Sequence, residues 1–280
     1  MISLKNNVPR NLEFWDTQRG IIRSRKGGWK IGEGVFSHGY NLLEDFVGNK
    51  SYFQVMVLHA TGRLVERSIA DWMEAVYICM SWPDPRIWCN QIGALGGTIN
   101  ASIVASTAAG LMAGDSKLYG QKPLLKGVTF IQAALKQKKT GFTTLEIIEK
   151  ECKKNRGNPS IMGYARPLAK GDERVEILKQ YNKESSIVTG DHLRLANEID
   201  QVMIEKYNES ININGYASAI MSDFGFTPQE TYQISTLLTA SGIIACYLDA
   251  NERPPESFLP LRCDDIDYQG PPPREVPDRE

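Results

Sequence analysis

At 280 residues the chain is long enough for one large or two modest domains around a sizeable core. Hydrophobic residues make up 42% and charged residues 23%, ordinary globular values that exclude a disordered or fibrous chain. Basic and acidic residues number 32 and 33, a formal net charge of −1, so the balance predicts neither nucleic-acid nor membrane binding, and an anionic ligand needs a local arginine cluster.

In chain order, Met1 to Asp16 shows no apolar run behind its basic residues and does not read as a secretory leader. A small hairpin is predicted around Gly27–Val35. From Glu66 to Met80 the apolar residues Ile69, Trp72, Met73, Val76, Tyr77 and Met80 recur at helical spacing, and Pro83 and Pro85 close the helix. The stretch from Ile87 to Gly114 carries no charge. Its asparagines, serines, threonines and glycines are too polar for a lipid-facing span, and its small side chains predict a tightly packed helix pair at a subunit interface. Thr143 with Glu146 opens a further helix. Stripes at Leu195, Ile199, Val202, Met203 and at Ile213, Tyr216, Ala217, Ile220, Met221, Phe224 predict two more. Thr227-Pro228-Gln229-Glu230 is a capping box that opens a long helix to about Asp249. The proline-rich tail from Gly270 is expected to be extended. The class is therefore mainly α.

Five cysteines without CxxC or zinc spacing predict reduced thiols, a cytoplasmic protein and no metal site. With only three histidines, His38, His59 and His192, imidazole acid/base chemistry has few candidates. His59 reads as a helix packing residue and His192, after Asp191, as part of a solvated first turn. The segment Ile161–Gln180 carries the clearest chemistry: Gly163-Tyr164-Ala165-Arg166-Pro167 runs into Gly171-Asp172-Glu173-Arg174 and a helix. Two guanidinium forks near a helix start suit a carboxylate or phosphate, or else they pair with neighbouring glutamates.

That loop resembles the citrate synthase family, in which Gly-Phe-Gly-His-Pro/Arg-Leu/Val-Tyr leads into Asp-Pro-Arg and a helix. Asn212-Ile213-Asn214-Gly215-Tyr216-Ala217-Ser218 is similar to the family's Asn-Val-Asp-Phe-Tyr-Ser-Gly, and Lys122-Pro123-Leu124-Leu125-Lys126-Gly127 to its Gly-Pro-Leu-His-Gly-Gly. Ser37 to Phe46 resembles its Arg-Gly-Tyr-x-Leu-x-Asp-Leu. Phe224 to Pro228, Thr239 to Gly242, and Arg262 with Tyr268-Gln269-Gly270 extend the match over residues 30 to 275. The resemblance implies a two-domain helical fold, with a large domain of 1–127 and 226–280, a small inserted domain of 128–225, and an active cleft between them. It also implies an intertwined homodimer, a coenzyme A thioester as co-substrate, and a carboxylate as the second substrate.

The same resemblance places Leu125 at the histidine that polarises the thioester, Arg166 at the histidine that holds the oxo acid, and Asn214 at the aspartate base. Leucine offers no proton, and an amide is no base in water, so the standard condensation is not expected. Arg174 matches the arginine that grips the carboxylate. Arg262 lies near the arginine supplied by a partner subunit, Thr239 at or beside a third arginine, and His38 where the family has an arginine. Lys126 would serve as a base if burial lowered its pKa and is otherwise an exposed residue beside a glycine turn. Trp82 and Trp88 either line a ligand pocket or pack in the core. Two functions follow: a divergent enzyme forming or cleaving a C–C bond or hydrolysing a thioester, or an inactive homologue that binds ligand, alone or paired with an active paralogue.

Overall fold

The structure, a computed structural model, is described for residues 12–154, 161–166, 171–185 and 187–277. The beginning of the N-terminal segment (1–11), part of the arginine loop (167–170) and the end of the tail (278–280) lie outside the described residues. The chain divides into two compact units, Met1–Glu74 and Ala75–Glu280.

The first unit holds α1 (Leu12–Gln18), a small sheet, α2 (Tyr52–Thr61) and the start of α3 (Arg67–Cys79). The sheet is antiparallel in the order β1 (Gly27–Lys30), β2 (Gly34–Ser37), β3 (Tyr40–Asn41), with Trp29 opposite Val35 and Phe36 opposite Asn41. The predicted hairpin thus gains a third strand. His38 turns the chain between β2 and β3 with φ +50°. Ser51 and Gln54 cap α2 reciprocally, and the Gln54 side chain then donates to Val65 O at 2.9 Å, tying the end of the α2–α3 connection to the α2 start.

The second unit is a helical assembly. Asn90 donates from Nδ2 to Trp82 O (3.0 Å) and Asp84 O (3.1 Å), fixing the Pro83–Pro85 break ahead of α4 (Trp88–Thr98). Next come α5 (Ile103–Gly114), α6 (Gln121–Lys139), α7 (Thr144–Lys154), α8 (Glu173–Glu184), α9 (Asp191–Tyr207), α10 (Ile213–Asp223), α11 (Pro228–Ile234) and α12 (Ala240–Asn251). Helices α4, α5 and α12 form one close-packed group, and α6 lies against α9, α10 and α11. The small residues of α4 and α5 work inside the chain: a methyl group at Gly93 or Gly110 would run into Ile243 of α12, and one at Gly97 into the Tyr247 carbonyl. The larger apolar residues of the same stretch, Leu95, Ile99, Val104 and Met112, are exposed.

Two expectations are corrected. The helix from Thr227 breaks after Ile234 into a 3₁₀ turn, Ser235–Leu237, before α12 begins. The carbonyls needed to continue it are taken elsewhere: Ile234 O accepts from the Tyr77 hydroxyl and Thr236 O from Gln121 Nε2 at 3.1 Å, while Ser235 Oγ and Thr236 Oγ1 bond back to Tyr232 O and Gln233 O. His192 is mostly covered, its side chain 20% exposed, rather than freely solvated. Its Nδ1 lies 2.9 Å from Asp223 Oδ1, and the same carboxylate accepts from the His192 and Leu193 amides at 3.0 Å. Gly190 has no side chain to cap α9, so Asp223, the last residue of α10, supplies the cap.

Candidate functional site

The arginine loop is held by backbone contact. Gly163 has φ +96°, and a Cβ there would collide with the Gly215 backbone at the start of α10, so only glycine allows the approach. Asn212 N donates to Gly163 O at 2.9 Å and Asn212 Nδ2 to Ala165 O at 2.6 Å. The Asn212 Oδ1 meanwhile accepts the amides of Asn214 and Gly215, at 2.9 and 3.2 Å, capping α10. Arg166 is thereby delivered to the α8 and α10 N-termini.

Asp172 is the centre of the site. Its side chain is 0% exposed. Oδ1 and Oδ2 accept Arg174 Nε and Nη2, both at 2.7 Å; Oδ1 also takes the Arg174 amide at 3.2 Å, and Oδ2 the Ile213 amide at 2.8 Å. Burial pushes this carboxyl upward, but the guanidinium and the two amides outweigh it and hold it below the usual carboxylate range. Arg174 directs Nη1 at Met80 Sδ (3.3 Å) and lies 5.7 Å from the Trp82 ring centre. Arg166 places Nη1 and Nη2 on Glu173 at 2.6 and 3.2 Å, with Nη1 3.9 Å from Asp172. Both forks therefore rest on adjacent carboxylates, Arg166 on the glutamate that opens α8 and Arg174 on an aspartate rather than the glutamate pairing considered for it.

Asn214 lies on the face of α10 that packs on Leu124 and Gly127 of α6. Asn214 Oδ1 accepts from Ser218 Oγ at 3.2 Å, leaving the Nδ2 hydrogens as the group it offers a ligand. A Cβ at Gly127 would overlap both of these side chains, so the absence of one lets α10 settle on α6. Leu125, half-buried, and Lys126, exposed, lie on α6 itself rather than in a glycine turn. Trp82 and Trp88 are both partly exposed, Trp82 facing Arg174 and Trp88 edge-on to Tyr119 with centroids 5.9 Å apart. Burial, together with Cys89, pushes the Tyr119 phenol upward, against a smaller opposing pull from Arg174.

Arg262 is exposed in the C-terminal tail, its amide donating to Asp265 at 2.8 Å, and it is not brought to the arginine pair. His38 belongs to the first unit, its ring stacked on His59 with centroids 6.3 Å apart. Burial, then Lys26 and His59, push its pKa down. Among the described residues no group of three or more His, Cys, Asp or Glu is placed to hold a metal, and no helix is long and apolar enough to cross a membrane. A cavity of about 600 Å³ between α8 and α9, lined by Glu176, Lys179, Asn182, Lys183, Leu193 and Tyr216, contains none of the predicted site residues. The role of Asp172 was missed in the sequence, although an aspartate directly before a helical Glu-Arg pair is an N-cap signal.

Solved structures place this architecture. Citryl-CoA lyase from Hydrogenobacter thermophilus superposes with a TM-score of 0.75 over 92% of this chain and 98% of that one, at 23% identity. The fold is of the citrate-synthase type. This citrate-synthase-type fold also matches ATP citrate lyase from Methanothrix soehngenii, solved with citrate and coenzyme A, at TM-score 0.73 and 18% identity over 98% of this chain. It spans 46% of that chain. Citrate synthase from Thermoplasma acidophilum, in a ternary complex with carboxymethyl coenzyme A and oxaloacetate, matches at TM-score 0.62 and 18% identity, over 81% of this chain and 58% of that one. No family model and no curated protein sequence matches the chain.

Proposed function

We propose that this citrate-synthase-type fold acts on a coenzyme A thioester together with a di- or tricarboxylate or 2-oxo acid, forming or cleaving a C–C bond or hydrolysing the thioester. The observation that carries the reading is the gathering of Arg166 and Arg174 on Asp172 and Glu173 at the α8 start, joined through Asp172 to the α10 start that carries Asn214. The names of the fold's neighbours support it, since citryl-CoA lyase, ATP citrate lyase and citrate synthase all handle such substrates. In this reading the two arginines hold a carboxylate, the Asn214 amide donates to the acyl oxygen, and Lys126 or Tyr164 moves protons. Of these two, Tyr164 is buried with its hydroxyl donated to Ala196 O at 3.1 Å, and Lys126 is exposed on α6, without the burial its role as a base requires. Closure of 128–225 on the rest of the chain would complete the cleft.

A second reading has its own support. Leu125 and Asn214 supply neither an acid nor a base, and the arginines already carry internal carboxylates, as suits a catalytically inactive ligand-binding or regulatory subunit. Homodimerisation, or pairing with an active paralogue that receives Arg262, belongs to both readings, as does a cytoplasmic location, which the five free cysteines support. The deciding experiment incubates the full chain with citryl-CoA, with acetyl-CoA plus oxaloacetate, and with other acyl-CoAs while free thiol is followed. Turnover that Arg174→Ala lowers by 10²-fold or more supports the enzyme; carboxylate or CoA binding without turnover supports the subunit.

A further inference from the structure

We propose, building on the carboxylate-site reading above, that Glu173 sets the selectivity of this site by acting as an internal competitor for Arg166, so that a ligand carboxylate enters only by exchange with it. Two of the positions at which the loop departs from the resembling motif, arginine for histidine at 166 and glutamate for proline at 173, are in contact with each other through a two-pronged ion pair of 2.6 and 3.2 Å. The two carboxylates of the loop are not equivalent. Asp172 is fully enclosed and holds two backbone amides as well as Arg174, so it cannot leave without uncapping α8 and freeing the Ile213 amide. Glu173 is 64% exposed, and Arg166, at 19%, lies beneath it. A planar carboxylate arriving from solvent meets the same fork in the same geometry and needs to displace only the exposed partner.

The pairing narrows the ligand further. Arg174 is already neutralised by the enclosed Asp172, so a ligand carboxylate that displaces Glu173 engages Arg166 alone, and any other carboxylate of the ligand finds no exchangeable guanidinium at this pair.

The test is calorimetric titration of citrate into the full chain and its variants, with thermal melts to verify folding. Glu173→Gln keeps the shape of the side chain and removes its charge; citrate should then bind about five-fold tighter. Glu173→Asp, which keeps the charge on a shorter stem, should fall between. In an Arg166→Gln background the gain from Glu173→Gln should vanish, which separates competition for Arg166 from a general change of field. An unchanged or weaker affinity in Glu173→Gln, or the same gain without Arg166, overturns the inference while leaving the site reading intact if Arg174→Ala still abolishes binding. Absence of citrate binding in every form overturns both.

Discussion

Asp172 shows how a buried carboxylate can be worth more to the fold than to chemistry. It neutralises Arg174 and satisfies amides at the starts of two helices, so Asp172→Ala should cost about 3–5 kcal/mol, a fall in Tm of roughly 10 °C. The pH dependence has a definite sign. The folded carboxyl titrates below its unfolded value of about 3.9, so its contribution is complete above that pH and is lost as the pH falls through the lower folded value. Acid unfolding of Asp172→Asn, followed by circular dichroism, should therefore show a flatter limb below pH 4 than the native chain. Asn214 offers an amide where a base would need a carboxylate, with its Oδ1 held by Ser218, and Leu125 on α6 has no proton to donate. Asn214→Asp combined with Leu125→His should restore measurable condensation of acetyl-CoA with oxaloacetate if the positions retain the geometry of the resembling motif. No gain would show that the cleft has been remodelled.

Among the elements, the loop from Ile161 to Arg166 depends on Gly163 more than on any side chain. Gly163→Ala forces a left-handed residue against Gly215 and should lower stability by about 2 kcal/mol or more. It should weaken carboxylate binding as well, because Arg166 is three residues away; titration of the variant checks both effects together with its melt. Helix starts were readable where a capping box stood in the sequence, at Thr143 with Glu146 and at Thr227 with Glu230, whereas the Ser51 and Asn212 caps were seen only in the structure. The break between α11 and α12 was not readable, because the groups that take the Ile234 and Thr236 carbonyls, Tyr77 and Gln121, are distant in sequence. The arginine pair could be found in the sequence, but its partners were open, since spacing alone cannot say whether a guanidinium faces a neighbouring carboxylate or a ligand. The Asp223 cap on α9 was hidden for the same reason as the α11 break, as it comes from another helix.

At the scale of the whole molecule, α4, α5 and α12 bury their small residues among themselves and turn Leu95, Ile99, Val104, Met112 and Leu248 outward. In the homodimer proposed above, an apolar set of this kind would face the second copy. On that proposal Val104→Asp with Met112→Asp should leave a monomer in light scattering where the native chain is a dimer, with little loss of far-UV helicity because both side chains are exposed. The exchange of caps among helices has a separate consequence for how the second unit opens. The His192 and Leu193 amides are shielded by a carboxylate that belongs to α10, so their hydrogen exchange reports on the integrity of α10 rather than of the helix that contains them. Loosening the C-terminal end of α10 would thus register as solvent labelling at the first turn of α9, which gives a reporter for the end of that helix opposite the arginine loop.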